Sequence, residues 1–270
     1  MRIVFVGTAP FAVPSLRALV AAGHQIPLVV TQPDRPGHRL KLTPPAVKVA
    51  AEQLGLPVFQ PERIRNPEAV ERIREARPEL MVVVAYGQII PRALLELPPR
   101  GVINVHASLL PRWRGAAPVA HAILAGDRRT GVTIMQMDEQ LDHGPVLAYS
   151  EEVEIGERED AGGLTARLAE IGARALVDVL ARLDQITPSG QDHDRATTAP
   201  KLAREDGELA ADLPAEEIDR RVRAFQPWPG VTLPWQGERV KVLRGHVEAG
   251  RYVPEVVQRP GERPRSADGR

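Results

Sequence analysis

Residues 80–85 read Leu-Met-Val-Val-Val-Ala, and residues 101–108 read Gly-Val-Ile-Asn-Val-His-Ala-Ser. The first is a near-continuous apolar run, the pattern of a strand covered on both faces rather than one. The second predicts a shorter strand over 101–105 that runs out into polar groups. Outward from this pair, strand patterns at 2–6, 26–31, 131–138 and 145–155 are interleaved with helical patterns at 14–22, 45–54, 66–76 and 118–125. Such βαβ alternation predicts an α/β fold, a Rossmann-like and mostly parallel sheet with helices on both faces. Leu164, Leu168, Ile171, Ala175, Val179 and Leu183 then recur at steps of three or four, which predicts a long amphipathic helix.

Residues 187–207 are polar and aperiodic and read as a linker. A helix over 214–225, the rigid turn Gln226-Pro227-Trp228-Pro229-Gly230 and short strands at 232–235 and 238–243 predict a small C-terminal β module. The Pro-, Gly- and Arg-rich residues 259–270 are expected to be poorly ordered. The expected division is a catalytic domain over 1–186, the linker, and the module over 208–270.

Aromatic residues make up only 4 % of the 270-residue chain, so its core must be built from Val, Leu, Ile and Ala. With no cysteine, disulfides, thiol catalysis and cysteine metal sites are excluded. No run approaches the roughly 20 apolar residues that cross a bilayer. The N-terminus starts directly as a strand, without the charged-then-apolar pattern of a signal peptide. A cytoplasmic monomer is the expectation. Net charge is zero, yet from Arg220 to Arg270 eleven Lys and Arg stand against five Asp and Glu. That excess fits either a solvated basic tail or a site for a polyanion.

In open parallel sheets ligands bind at the carboxyl ends of the strands. Gly7 and Thr8 follow the first strand, but no GxGxxG accompanies them, which leaves a nicotinamide dinucleotide site unsupported. Asn104 and His106 are two residues apart on a strand and so share a face. An amide beside an imidazole suits a developing oxyanion, and histidine moves protons near neutral pH; a satisfied structural histidine is the plainer alternative. Asp142, on the Gly-containing turn Gln140-Leu141-Asp142-His143-Gly144, could orient that imidazole, with Asp138 and Glu139 as rivals by position. Seven histidines without HExxH-like spacing give no reason to assign a metal.

At these residues the chain resembles the folate-dependent formyltransferase family. The motifs are GTAPFAVPSL, TQPDRP, VVVAYGQIIP, INVHASLLPRWRGAAP, TGVTIMQMDEQLDHGP and RAFQPWPG, spread from residue 5 to about residue 230. The resemblance implies that Asn104, His106 and Asp142 are catalytic. It implies formyl transfer from 10-formyltetrahydrofolate to an amine through a tetrahedral oxyanion, without a metal. It places the folate against Tyr86, Gly87, Gln88, Ile89 and Ile90 and against Ser108, Leu109, Leu110 and Pro111. For the acceptor it implies the methionyl end of initiator tRNA, reached by the loop 32–48 through Arg35, Arg39, Lys41 and Lys48, with the basic C-terminal module as a second tRNA patch. An acceptor amine on a nucleotide or amino sugar is the alternative, and a binding protein that lost turnover is a third reading. Four departures from the family pattern stand out: Ala9-Pro10 where a Pro and an acid are usual, a loop 32–48 one residue short, His143 in place of Thr or Ser, and a C-terminal barrel that skips strands around Val240 to Val257.

Overall fold

The computed structural model describes residues 1–36, 42–210 and 212–267. The chain forms two compact units, Met1–Arg114 with Gly131–Glu151 and Ala166–Thr197, and Gly115–Thr130 with Glu152–Thr165 and Thr198–Arg270. Its main helices are α1 (Val13–Ala21), α2 (Ala46–Gln53), α3 (Pro67–Glu75), α4 (Pro118–Ala125), α5 (Ala161–Ala181) and α6 (Ala215–Ala224).

The first unit is built on seven strands: β1 (Arg2–Gly7), β2 (Gln25–Val30), β3 (Val58–Phe59), β4 (Leu80–Val84), β5 (Val102–His106), β6 (Thr133–Gln136) and β7 (Val146–Tyr149). They lie in the order β7-β6-β5-β4-β1-β2-β3. The pairs from β3 through β5 are parallel, and β6 and β7 add an antiparallel edge. Ile3, Val4, Phe5 and Val6 are all fully buried, as are both parities of β4, so the sheet is covered on both faces as the apolar runs require. After β1 the chain winds outward to β2, and it returns to the other side of β1 at β4. This reversal opens a crevice at the carboxyl ends of β1 and β4, the place where such sheets take ligands. Ala9 N–H donates to the Ala85 carbonyl at 3.3 Å, holding the two diverging loops together at their roots.

Helix α5 ends at Ala181, so Leu183, expected to continue its stripe, sits in a separate 3-10 turn with no buried residue. The buried stripe runs instead through Leu164, Leu168, Ile171, Leu176 and Val179. Gly172 lies on that stripe, and a Cβ there would come within 2.8 Å of Val105 Cγ1. The expected strand 145–155 is broken: β7 stops at Tyr149 and a two-residue strand, Val153–Glu154, pairs with Arg129–Thr130. Ser150 makes the break, its Oγ accepting from Val132 N–H at 2.9 Å and donating to the Glu151 carbonyl.

The second unit carries α4, α6 and a four-stranded antiparallel sheet, β8 (Val231–Trp235), β9 (Glu238–Glu248), β10 (Arg251–Gln258) and β11 (Arg265–Ser266), in chain order. The expectation of short strands there is corrected: β9 has 11 residues and β10 has 8. Register shifts on either side of Arg244 hide the alternation, which is why the pattern of 238–243 stopped early. Residues 259–270 are not uniformly loose either, because Arg265 and Ser266 pair with Val257 and Val256.

Candidate active site

Strand β5 is buried along its length, and the alternation of side chains sends Val105 toward Gly172 of α5 and Asn104 and His106 to the other face. Register pairs His106 with Thr133 and Asn104 with Met135 on β6, and Val83 of β4 with Asn104. Asn104 and His106 are both under a tenth exposed. Asp142 reaches them from the turn between β6 and β7. Its Oδ1 is 3.4 Å from Asn104 Nδ2 and 3.6 Å from His106 Nδ1. The structure therefore brings together the three residues singled out from the sequence.

It also separates Asp142 from its rivals. Asp138 Oδ2 is 2.7 Å from His143 Nδ1, and Glu139 faces Arg92 at 3.5 Å.

A partner invisible to pattern reading is the main-chain carbonyl of Trp113, which lies 2.9 Å from His106 Nε2. A carbonyl only accepts, so Nε2 carries the proton of this hydrogen bond. Asp142 faces the other ring nitrogen, Nδ1, at 3.6 Å. Trp113 aims its carbonyl by adopting φ 62°, a left-handed conformation uncommon for a bulky residue, and its N–H donates to Thr197 Oγ1 at 2.9 Å. The Arg112 guanidinium lies over the Trp113 ring, 4.4 Å from its centroid.

The segments expected to hold folate follow β4 and β5, neighbours in the sheet. Several of their polar groups are already engaged. The Tyr86 carbonyl accepts from Thr8 Oγ1 at 3.0 Å and Gln32 Nε2 at 2.7 Å, and its buried phenol has its pKa pushed up to about 12 by desolvation. Gly87 has φ 84°, and a Cβ there would strike Gln32 Nε2. Gln88 is tied to Ile64 N–H and the Glu62 carbonyl. Ser108 donates to the Arg112 carbonyl, and Thr133 Oγ1 bridges the Ser108 carbonyl and Leu110 N–H. Tyr149 OH donates to the Leu110 carbonyl at 2.8 Å. Ile90 is buried, whereas Ile89 is 85 % exposed. The result is a hydrogen-bonded frame from which the Ile89 side chain stands exposed, while Leu109 and Pro111 are half-buried and Leu110 is buried.

Of the four cations expected to reach tRNA, Arg39 and Lys41 lie outside the described residues. Arg35 is exposed and 3.9 Å from Glu62. Lys48 is half-buried at the root of the loop, donating to both oxygens of Asp34 at 2.9 Å, so its charge is compensated. Gln60 Nε2 joins them by donating to Asp34 Oδ1 at 2.7 Å and to the Gln32 carbonyl at 2.9 Å. These bonds from Gln60 and Lys48 hold the Asp34 carboxyl below the ordinary carboxylate value. Among the described residues no cluster of His, Asp or Glu could hold a metal ion, and no helix is long and apolar enough to cross a membrane.

A mostly parallel sheet with an amide, an imidazole and a carboxylate converging at one strand end offers the donors and the acid that acyl transfer through an oxyanion requires. Residues 1–180 match the formyl transferase family and residues 201–268 match the formyl transferase C-terminal domain. The chain is 50 % identical to a methionyl-tRNA formyltransferase from Chloroflexus aurantiacus, over 95 % of this chain and 84 % of that one. It is 54 % identical to a methionyl-tRNA formyltransferase from Halorhodospira halophila, over 93 % and 81 %. The fold is shared with HypX from Aquifex aeolicus, solved in complex with tetrahydrofolic acid, at a TM-score of 0.67 and 19 % identity over 97 % of this chain and 40 % of that one. The chain belongs to the formyl transferase family, among its methionyl-tRNA formyltransferases.

Proposed function

We propose that the chain transfers the formyl group of 10-formyltetrahydrofolate to the α-amino group of methionyl initiator tRNA, with Asn104, His106 and Asp142 as its reacting groups. The observation that carries this reading is the convergence of the three side chains at the end of β5, with Asp142 Oδ1 3.4 Å from the amide and 3.6 Å from the imidazole. Relatives at 50–54 % identity support the acceptor.

The amine attacks the formyl carbon, and the carbonyl oxygen becomes an oxyanion. Asn104 Nδ2 and the His106 imidazole donate to it, in a site where burial strengthens charge-assisted hydrogen bonds. For His106 to reach the oxyanion, Nε2 exchanges the Trp113 carbonyl for it while Nδ1 stays on Asp142. Asp142 stabilises the charged ring and takes part in moving the amine proton, and the oxyanion then collapses with cleavage of the bond from the formyl carbon to N10 of the donor, which leaves as tetrahydrofolate carrying that proton. The pteridine of the donor needs apolar walls and main-chain partners, and Gly87–Ile90 with Leu109–Pro111 supply them beside the crevice of β1 and β4. Arg35, Arg39 and Lys41 approach the phosphates of the acceptor stem, and Lys48 holds the root of their loop. The basic residues of the 208–270 module offer a second place for phosphates.

The test is formyl transfer from 10-formyltetrahydrofolate to methionyl initiator tRNA, with free methionine and a nucleotide-linked amino sugar as competing acceptors. Rapid tRNA-dependent transfer is expected. Faster transfer to the amino sugar would reassign the acceptor.

A further inference from the structure

Gln191 belongs to no motif read from the sequence, yet it is 8 % exposed and its amide joins two segments of the first unit. Nε2 donates to the Asp142 carbonyl at 3.0 Å and to the Gly144 carbonyl at 2.7 Å. Oε1 accepts from Arg114, at 3.2 Å from Nε and 2.7 Å from Nη2. A guanidinium only donates and a main-chain carbonyl only accepts, so the amide fits in one orientation, with both N–H groups and its oxygen engaged.

The turn it holds is unusual. Asp142 adopts φ 48°, in the left-handed region that favours glycine. Gly144 lies so close to β6 that a Cβ would fall 2.0 Å from the Gln136 carbonyl oxygen. The sheet therefore braces the turn on one side and Gln191 braces it on the other. Around Gln191 the bracing continues: Arg114 Nη2 also donates to His193 Nδ1 at 2.7 Å, and the His193 ring stacks on His143 with centroids 4.0 Å apart.

We infer that Gln191 is a positioning residue for formyl transfer, setting the Asp142 turn and, through it, the imidazole of His106. This rests on the reading of Asn104, His106 and Asp142 as the reacting groups. The two bonds from Gln191 to the Asp142 and Gly144 carbonyls hold the backbone that Asp142 hangs from.

Gln191→Glu is the informative substitution. It keeps an oxygen for Arg114 but puts an acceptor where two carbonyls need a donor. We expect kcat to fall on the order of 10²-fold, the cost of misplacing a reacting group by about 1 Å. KM for the folate donor should stay within about two-fold, because only an interaction expressed in the transition state is lost. Combined with Asp142→Asn, Gln191→Glu should cause no further loss, since residues acting as one unit are not additive. Should Gln191→Glu fail to fold, the near-isosteric Gln191→Met is put through the same cycle. If Asp142→Asn keeps full turnover, the reading of the three reacting groups falls, and the inference with it. If Asp142→Asn is impaired while the Gln191 variants are not, or if their losses multiply, the positioning role alone is overturned.

Discussion

Replacing Gly172 with alanine tests whether the packing behind β5 sets the reacting groups in front of it. The new Cβ would stand 2.8 Å from Val105 Cγ1 and 3.2 Å from Val132 Cγ1, against an ordinary carbon–carbon separation of about 3.5–4.0 Å. In a helix interior, alanine is favoured over glycine by about 1 kcal/mol. Here overpacking opposes that gain, at a typical cost of about 1–3 kcal/mol. The higher part of that range applies, because Val105 and Val132 are buried and β-branched and have little freedom to rotate away. A net destabilisation of about 1 kcal/mol follows, or a fall in Tm of about 2–4 °C for a chain of this size. Turnover should suffer more. Clearing the methyl requires a displacement of about 1 Å shared between α5 and β5, and Val105 sits between Asn104 and His106. A full 1 Å misplacement of reacting groups costs on the order of 10²-fold, so a shared one should lower kcat about ten-fold. The assay is the initial rate of formylation at saturating donor and acceptor, run beside thermal denaturation. Adding Val105→Ala should recover part of the lost turnover by removing the opposing methyls. A Gly172→Ala protein as stable as the parent, with unchanged kcat, would refute the reasoning.

His106→Ala and Asn104→Ala should each lower kcat on the order of 10²-fold or more while folate binding is retained, as expected for donors to an oxyanion; full activity in either would remove the mechanism. Charge reversal at Arg39 and Lys41 should raise KM for the tRNA and flatten its dependence on salt, as loss of phosphate contacts does. An unchanged KM would point to a small acceptor. Asp34 makes a pH prediction through the Gln60 and Lys48 bonds that hold its carboxyl below the ordinary value of 3.8. A depressed folded pKa contributes stability above the unfolded value, and that contribution is lost as pH falls through the folded one. Asp34→Asn should therefore lower Tm near neutral pH, and the gap to the parent should close below pH 3.8; a gap that does not change with pH rejects the argument.

The parts of the fold and site that were legible in the sequence lie on regular elements. β4 and β5 could be read because strands buried on both faces are apolar runs, and Asn104 with His106 because strand side chains repeat every two residues. What escaped lies where the backbone departs from those periods. The bulged β9 exceeds its apolar pattern, and Trp113 at φ 62° acts through a carbonyl that any residue carries. Gln191 acts on a turn 47 residues away through main-chain oxygens, a role that leaves no local pattern. The choice of acid shows the same division. From position alone Asp138, Glu139 and Asp142 were equivalent, and only the family resemblance preferred Asp142. The structure supplies the physical reason: Asp138 bonds His143, Glu139 faces Arg92, and Asp142 takes the left-handed φ that turns its carboxylate toward β5. A turn that strains a non-glycine residue must be held from outside. The residues that hold it, Gln136 through Gly144 and Gln191 through two carbonyls, are therefore as much a condition of the site as the acid itself.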